Sequence, residues 1–442
     1  MSELLIAGGR VVDPARGVDG ELDVLLVDGK VRAVAPDLRG QRDYERVIDA
    51  KGYVVTPGLI DMHVHFREPG READETIASG SAAAVRGGIT SVAVLPSTQP
   101  VVDDEAAAEF QVLQGKRAGR AWIHPIGALT RGRKGESLAE LEGLVRGGAV
   151  AFSDGDQPVR SAEVLRCGML YARMLDRPVI VHAEDADLAK GGVMHAGLTS
   201  LTLGLSGKSA ASEEVAVNRD IALARLTGAR LHFAQLSVRG SLAQVRAAKA
   251  EGLPVTCAVT PHHISLTDEA VRSFDPHYKV DPPLRTQADL NALLDAIEDG
   301  TVDALCSGHA PHSREKKEVE FQEAPPGVIG VETLLPIAVT RLVKERGLPL
   351  KRLVELLSTA PARILGLQSG TLEPGSPGDV SVLDLEHEYA IRDDFRSHSK
   401  NTPFVGETVR GRAIYTVVGG RVVYDRAAED PATMAHLAGQ RA

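Results

Sequence analysis

Eight short apolar runs recur between residues 57 and 307, and a stretch of helical character separates most of them. Residues 73–87 and 212–227 are two such stretches, and the second ends on Gly228, a residue that often terminates helices. Parallel strands need long crossovers, which helices usually supply, so the repetition predicts a closed (β/α)8 barrel of the α/β class. The runs lie near residues 57–65, 89–95, 121–127, 149–153, 178–183, 230–236, 254–259 and 302–307.

The two ends of the chain carry strand patterns without helices between them. Asp28-Gly29 is a hairpin signal between two apolar runs of the N-terminal segment, and residues 379–385 and 413–423 add strand-like runs near the C-terminus. Neither end is long enough to bury a core alone. We therefore expect one small β-sandwich domain built from residues 1–55 plus 366–442, beside a barrel of residues 56–365.

The composition of the chain argues against two classes of binding partner, nucleic acids and membranes. The net charge is −10 with both signs interspersed, so no basic stripe suggests nucleic acid, and no run of about 18 apolar residues suggests a membrane span. The chain starts on a strand-like run without signal-peptide features. The three cysteines Cys167, Cys257 and Cys306 lack C-x-x-C spacing. These features predict a cytoplasmic protein with reduced thiols.

The end of the first apolar run carries a possible metal motif. His63 and His65 are two residues apart, and neutral imidazole is the commonest transition-metal ligand. In a (β/α)8 barrel the chemistry lies at the C-terminal ends of the strands, where these residues fall. The alternative is a pair of ordinary polar residues on a half-exposed strand. Period-two alternation predicts one face with Asp61, His63 and His65 and another with Ile60, Met62 and Val64.

Other strand ends contribute further candidates. His182 follows the fifth run, and a histidine there together with the H-x-H pair favours a metal site over three structural histidines. Arg67 lies just past the first strand, where its guanidinium can bind a substrate carboxylate. Gly207-Lys208-Ser209 resembles the end of a P-loop, but Thr202 replaces the required glycine. The long polar segment 312–330 is either an active-site lid or a solvated loop.

Several motifs together resemble class I dihydroorotases of the amidohydrolase superfamily. The resemblance covers nearly the whole chain, and the absence of lysine at the fourth strand end argues against dihydropyrimidinases and allantoinases. It implies a reversible closure of carbamoyl aspartate to dihydroorotate, with a hydroxide bridging two zinc ions as the nucleophile. The motifs are His63-Val64-His65-Phe66-Arg67-Glu68-Pro69-Gly70, Thr260-Pro261-His262-His263, Pro282-Pro283-Leu284-Arg285, His309-Ala310-Pro311-His312 and Gly330-Val331-Glu332-Thr333.

Only part of the site implied by this resemblance is present. The metal ligands His63, His65 and His182 match, as do the substrate contacts Arg67 and His312. The other site positions differ, and they include the catalytic aspartate that ligates zinc and moves the proton. The departures are Gly155 at the bridging aspartate, Gln235 at the sixth-strand histidine, Gly308 at the catalytic aspartate, and Ser97 and Asp281 at two substrate-binding asparagines.

These departures remove metal ligands and an acid–base group and do not replace them with equivalent side chains. Glycine has no side chain to ligate metal or move a proton, and the amide oxygen of Gln235 is a poor zinc ligand beside imidazole. Asp281 would place a negative charge near a dianionic substrate. Asp154 would need a local bulge to replace the missing bridge, and Asp156 would have to fold back over the rim. Neither would restore an acid–base group at Gly308.

The sequence therefore predicts a dihydroorotase-like protein with an eroded site, at most one weakly bound zinc ion and little or no activity. Some proteins of this kind are structural partners of aspartate transcarbamoylase, so we expect that partner or at least a homo-oligomer. One alternative is an active zinc dihydroorotase, or a hydrolase of another cyclic amide, with an altered site. An engineered knock-out is a third possibility.

Overall fold

The computed structural model describes residues 2–41 and 43–429. The strands are β1 (Glu3–Asp13), β2 (Val18–Val27), β3 (Lys30–Ala35), β4 (Arg46–Asp49), β5 (Val54–Pro57), β6 (Leu59–Val64), β7 (Ile89–Val94), β8 (Trp122–Gly127), β9 (Ala151–Phe152), β10 (Val179–Val181), β11 (Met194–His195), β12 (Gly207–Lys208), β13 (Leu231–Phe233), β14 (Val255–Val259), β15 (Ala304–Leu305), β16 (Val380–Ala390), β17 (Thr408–Val418) and β18 (Arg421–Asp425).

The helices connect the barrel strands and cover their outer side. They are α1 (Ile77–Arg86), α2 (Glu105–Ala118), α3 (Leu141–Arg146), α4 (Ala162–Met174), α5 (Leu198–Leu203), α6 (Ala210–Thr227), α7 (Arg239–Ala250), α8 (Gln287–Glu298), α9 (Arg314–Lys317), α10 (Leu334–Ala338), α11 (Leu350–Val354), α12 (Ala360–Leu365) and α13 (Arg426–Glu429). Two π-helical segments, Val339–Lys344 and Glu355–Thr359, continue α10 and α11.

Eight parallel strands form the barrel, in the order β15-β14-β13-β10-β9-β8-β7-β6. The first and last strands meet where the backbone N–H of His65 donates to the carbonyl of His309 at 2.8 Å. A parallel bridge between Val64 and His309 continues this contact. The predicted (β/α)8 barrel is confirmed, and all eight apolar runs contain one of its strands.

The barrel interior is filled mainly by small side chains, one or two from each strand. Met62 belongs to this interior cluster with Ala93 and Ala151, whereas Val64 packs in the outer cluster with the helices. The predicted alternation, with Met62 and Val64 on one face, is therefore wrong. Its cause is a register irregularity between Asp61 and Val64, where β6 pairs with β7.

Both chain ends contribute to a second sheet with the order β18-β17-β16-β5-β1-β2-β3, and β4 pairs with β1 as a branch. Consecutive residues of β1 enter different apolar clusters, Leu4 and Ile6 on one side and Leu5 and Ala7 on the other. The sheet is thus covered on both faces, as the expected domain from both termini requires. The strand β5, which ends at Pro57, belongs to this sheet.

Local sequence signals explain several element boundaries. In the β2–β3 hairpin, Asp28 and Gly29 have φ values of 48° and 80°, as the Asp-Gly pair predicts. Gly228 ends α6 in the left-handed conformation, also as predicted. Helix α1 begins later than residue 73, because Thr76 forms a capping box with Ser79.

Cys167, Cys257 and Cys306 are free thiols, and the last two are buried. Among residues 2–41 and 43–429, none of the helices has both the length and the apolar character that a bilayer span requires.

Asp379 joins the terminal sheet to the barrel. Its carboxylate accepts hydrogen bonds from the indole Nε1 of Trp122 at 3.1 Å and from the backbone of Gly419 at 2.8 Å. We expect Asp379→Ala to lower the free energy of unfolding by about 1 kcal/mol, because partly buried donors lose their acceptor. Urea denaturation measures the change. Asp187→Ala, whose side chain is 84% exposed, is the control and should change stability little; equal effects of both variants would contradict the prediction.

Candidate active site

A cavity of about 320 Å³ opens at the C-terminal ends of the barrel strands. We call it the mouth cavity. The cavity brings together residues that the sequence analysis singled out at four strand ends. They are His63, His65, Arg67, His182, Gln235 and Gly308. Its lining consists of His63, His65, Arg67, Arg71, Asp156, Gln157, His182, Gln235, His262, Val280, Asp281, Gly308, Ala310, His312 and the segment 325–328.

The predicted pair His63 and His65 meets at this rim, with ring centroids 5.7 Å apart. Burial, followed by the nearby His182, lowers the pKa of His63 to about 3. Burial and the charge of Arg67 also lower the pKa of His65 well below its ordinary value. Both rings are therefore neutral at neutral pH, the form that ligates metals. Ser97, a predicted substrate contact, instead pairs its hydroxyl with Nδ1 of His65 at 2.6 Å.

His182 lies beside two carboxylates and a lysine. Its Nε2 is buried without a hydrogen-bond partner among the described residues, 4.0 Å from Glu184. His182, Glu184 and Asp281 each place a possible ligand atom within 4.8 Å of the other two. The ammonium of Lys208 is 2.7 Å from Glu184 and 2.8 Å from Asp281. Asp281 therefore shares Lys208 with Glu184, so the three side chains together retain one negative charge.

The two carboxylates that follow the fourth barrel strand, β9, are Asp154 and Asp156, and they have different partners. Asp154 accepts from the backbone and hydroxyl of Thr130 at 2.9 and 2.5 Å, so it does not replace the missing bridge. Asp156 lines the mouth cavity and forms an ion pair with Arg133. Burial opposes ionisation of Asp156, but Arg133 and His182 outweigh it and its pKa is lowered.

Gly155, the predicted bridging position, lies against Arg133. A Cβ added there would meet the guanidinium Nη2 at 3.4 Å, which is ordinary contact, but Gly155 has a φ of +65°. An aspartate at this position would carry backbone strain of roughly 1–2 kcal/mol.

Gln235 and Gly308 fit together at the sixth and eighth strand ends. A Cβ built on Gly308 would lie only 2.6 Å from Nε2 of Gln235 and 3.1 Å from Cε1 of His262. The glutamine amide thus occupies the space that a side chain at position 308 would need. Gly308 also has a φ of +63°, which disfavours other residues.

Two guanidiniums face the mouth cavity. Arg67 donates from Nε to the carbonyl of Pro311 at 3.2 Å and has a φ of 59°, an unusual value for a non-glycine residue. Burial, followed by the charge of Arg71, lowers the pKa of Arg67 to about 9. Arg71 donates to the carbonyl of Ser97 at 2.8 Å.

The segment 312–330 is anchored beside the mouth cavity by buried residues, and its residues 314–316, 318–320 and 322–323 are exposed to solvent. Phe321 and Val328 are buried, and Lys317 donates to the carbonyls of Pro276 and Pro325 at 3.0 and 2.9 Å. The imidazole of His312, a predicted substrate contact, donates from Nε2 to the carbonyl of Pro326 at 2.9 Å. These contacts hold the segment 325–328 against the mouth cavity.

The histidines of the mouth cavity are nitrogen donors of the kind that zinc prefers, and the described residues bring three ligand atoms within 4.8 Å of one another at His182, Glu184 and Asp281. His63, His65 and His182 are nitrogen donors on one rim, and His63 Nδ1 and His182 Nε2 have no hydrogen-bond partner in the described chain. They would hold a zinc ion, which would supply a Lewis acid and lower the pKa of a bound water. Gly155 and Gly308 provide no side-chain ligand for a second ion, and Gln235 provides an amide.

The sequence analysis missed three charged residues of this site. The sequence places Lys208 only in a P-loop-like motif and does not single out Arg71. Arg133 belongs to a short 3-10 turn and reaches the fourth strand end from the preceding connection. The signal for Arg71 was its position four residues after Arg67; the residue types around Arg133 and Lys208 gave no comparable signal.

Comparisons with known proteins agree with this geometry. Residues 54–423 match the model of the amidohydrolase family. The chain is 46% identical to a dihydroorotase of Geobacter metallireducens, covering 96% of this chain and 100% of that protein. It is 47% identical to a dihydroorotase of Anaeromyxobacter dehalogenans, with coverage of 96% and 99%. An L-hydantoinase (dihydropyrimidinase) from Arthrobacter aurescens superposes with a TM-score of 0.86, at 28% identity over 96% of both chains.

Restoring the missing ligands tests the placement of the site. We expect Gly155→Asp, Gln235→His and Gly308→Asp together to raise the zinc content from at most one ion per chain toward two, as measured by metal analysis after dialysis. Gln235→His must accompany Gly308→Asp because of the 2.6 Å contact. Some stability should be lost, since both glycines have positive φ.

Gly252→Asp is the matched control for this strain. Gly252 has a φ of +78°, and a Cβ there would meet nothing within 4 Å. It should lose stability without gaining zinc. A folded triple variant that binds no additional zinc would mean that the ligand positions are wrong.

Proposed function

Because this chain belongs to the amidohydrolase family, and within it to the dihydroorotases, we propose that it acts in pyrimidine biosynthesis as a ligand-binding protein with little or no dihydroorotate turnover. The observation that carries this proposal is Gly308, which stands where the family motif has its catalytic aspartate. The preserved barrel, Arg67 and the histidine rim support binding. The substitutions at Gly155, Gln235 and Gly308 support the loss of turnover.

The carboxylates of the mouth cavity do not supply the missing proton transfer. Asp156 and Asp281 are the two carboxylates in the cavity lining, and both are paired with cations. Opening a cyclic amide requires a proton for the leaving nitrogen, and a positioned acid–base group contributes typically about 10²–10⁴-fold to the rate. The imidazoles of His63 and His312 have pKa values lowered to about 3, so they are weak bases and are not protonated at neutral pH.

An active hydrolase with an altered site is the second candidate. The names of the relatives, taken alone, favour this candidate over an inactive protein, because their similarity extends over whole chains. Asp156 is the residue that would have to act, since its side chain lines the cavity. It would have to leave Arg133 to reach a metal or a substrate.

Turnover distinguishes the two candidates. We expect the zinc-supplied protein to hydrolyse dihydroorotate at least about 10²-fold more slowly than the Geobacter metallireducens relative assayed beside it, because no acid–base group stands at Gly308. The measurement is loss of dihydroorotate with time. Turnover at ordinary enzyme rates, on the order of 1–10³ per second, would establish the active candidate. In that case Asp156→Asn should abolish it, whereas Glu142→Gln, on the exposed side of α3, should not.

A structural role is a further part of the proposal, with aspartate transcarbamoylase as the partner and the cytoplasm as the location. An intact scaffold beside a substituted site supports a role other than turnover. Large exposed apolar side chains also support a protein partner, among them Met174, Leu198 and Leu201, each about four-fifths exposed.

This role predicts an assembly. We expect the protein to co-elute with the aspartate transcarbamoylase of the same organism, or at least to form a homodimer, in size-exclusion chromatography with light scattering. The Geobacter metallireducens relative mixed with the same transcarbamoylase is the control for nonspecific association. A monomer that does not bind the transcarbamoylase would leave the protein without this role.

A further inference from the structure

A second cavity lies between the barrel and the terminal sheet, and we call it the junction pocket. Its barrel side is formed by Arg86 at the end of α1 and by Glu332 of the Gly330-Val331-Glu332-Thr333 motif. Its other side is formed by Tyr389 of β16 and Arg412 of β17. Among the described residues, none lines both this pocket and the mouth cavity. A ligand of the junction pocket would therefore occupy a separate site.

Arginines outnumber carboxylates in the lining of the junction pocket. Four arginines line it, together with the carboxylates of Glu332 and Asp394. Arg86 pairs with both carboxylates, its Nη1 lying 3.0 Å from Glu332 and its Nη2 lying 2.9 Å from Asp394. The two carboxylates are thus already engaged, and three arginines of the lining remain. They are Arg392, Arg412 and Arg426.

Arg412 is the most deeply buried of these three arginines. Its side chain is only 2% exposed, and its Nη2 is 3.3 Å from the carboxylate of Asp384, which lies outside the lining. Its Nε is buried and has no hydrogen-bond partner in the described chain. A buried donor without an acceptor is costly, so an acceptor oxygen would be favoured at this point.

Arg426 brings a second buried donor to the same place. It forms no ion pair in the part of the chain that the structure describes; its Nη1 reaches the hydroxyl of Tyr424 at 3.5 Å, and its Nε is buried without a partner. The guanidinium carbon of Arg412 lies 5.9 Å from the centre of the Tyr389 ring. Burial raises the pKa of Tyr389 to about 12. Three guanidiniums oppose this shift, those of Arg426, Arg412 and Arg86, so all three lie around one ring.

We propose that the junction pocket binds a phosphate group, held between Arg412 and Arg426 by their free Nε donors. Guanidiniums bind phosphate oxygens through paired hydrogen bonds and keep their charge at neutral pH. The pocket of about 50 Å³ has room for on the order of four water molecules, which matches the four oxygens of one phosphate group. The remainder of a phosphate ester would extend past Arg392, whose side chain is exposed. This site goes beyond the proposed function and does not depend on it.

The test is a calorimetric titration of the full chain with inorganic phosphate and with phenyl phosphate, compared with sodium chloride at equal ionic strength. We expect saturable binding with a Kd at or below about 1 mM, the affinity of a few charge-assisted hydrogen bonds, and a rise in melting temperature that saturates with it. Binding of phenyl phosphate as well would identify the ligand as the phosphate group of an ester. Binding of inorganic phosphate alone would identify it as the free ion.

Arg426→Gln should weaken phosphate binding at least about 10-fold, because one charge-assisted contact is lost. If this variant does not fold, Arg426→Lys replaces it; it keeps the charge, loses the planar fork and should retain part of the affinity. Arg421→Gln is the matched control, because Arg421 is an exposed arginine of β18 outside the lining. Arg71→Gln is a second control, in the mouth cavity. Neither control should change the affinity for phosphate.

Three results would each overturn the proposal. The first is heat no larger than that of the chloride titration. The second is an affinity in the Arg426 variant equal to that of the parent chain. The third is a loss of phosphate binding in Arg71→Gln, which would place the anion in the mouth cavity.

Discussion

Closure of the barrel between β6 and β15 is the constraint on which the rest of the site depends. The buried carboxylate of Asp61 accepts from the backbone of Ser307 at 3.1 Å and from that of His63 at 3.2 Å. It thereby ties the first strand to the eighth, just below the rim. Because of this closure the H-x-H motif faces Gly308 across a single cavity, although the two lie more than 240 residues apart in the chain.

The sequence was sufficient for the architecture, because the fold depends on repeated local signals. Each barrel strand is an apolar run, and several boundaries follow from one residue type, such as Gly228 after α6. Side-chain direction was less predictable. The alternation through Met62 and Val64 failed because β6 changes register against β7, and this irregularity arises from tertiary pairing rather than from the residues themselves.

Some residues of the site could also be predicted from the sequence and others could not. The residues at the strand ends, such as His182 and Gln235, could be assigned from the sequence because each follows an identifiable strand. The charged residues that balance them could not be assigned from the sequence. Lys208 precedes α6 and Arg133 lies in a turn after β8, so their meeting with Asp281 and Asp156 depends on how loops fold over the rim.

The charge balance of the mouth cavity explains why the departures at Gly155, Gln235 and Gly308 are compatible with one another. In a two-metal site the ions provide the positive charge that holds carboxylates and imidazoles together. Here Lys208 and Arg133 provide cations from the protein itself, against Asp281 and Asp156. With the aspartates absent at the positions of Gly155 and Gly308, the site also carries two fewer negative charges that a metal would have to neutralise.

Loss of the metal ions alone would instead have left close carboxylates unpaired, and two like charges about 4 Å apart repel by about 4 kcal/mol at an effective dielectric of 20. The glutamine amide of Gln235 completes this arrangement, because it fills the space beside Gly308 without adding charge. The departures from the family motif therefore form one electrostatically consistent set. Within residues 2–41 and 43–429, these ion pairs leave Arg67 and Arg71 as guanidiniums of the mouth cavity that donate to backbone carbonyls.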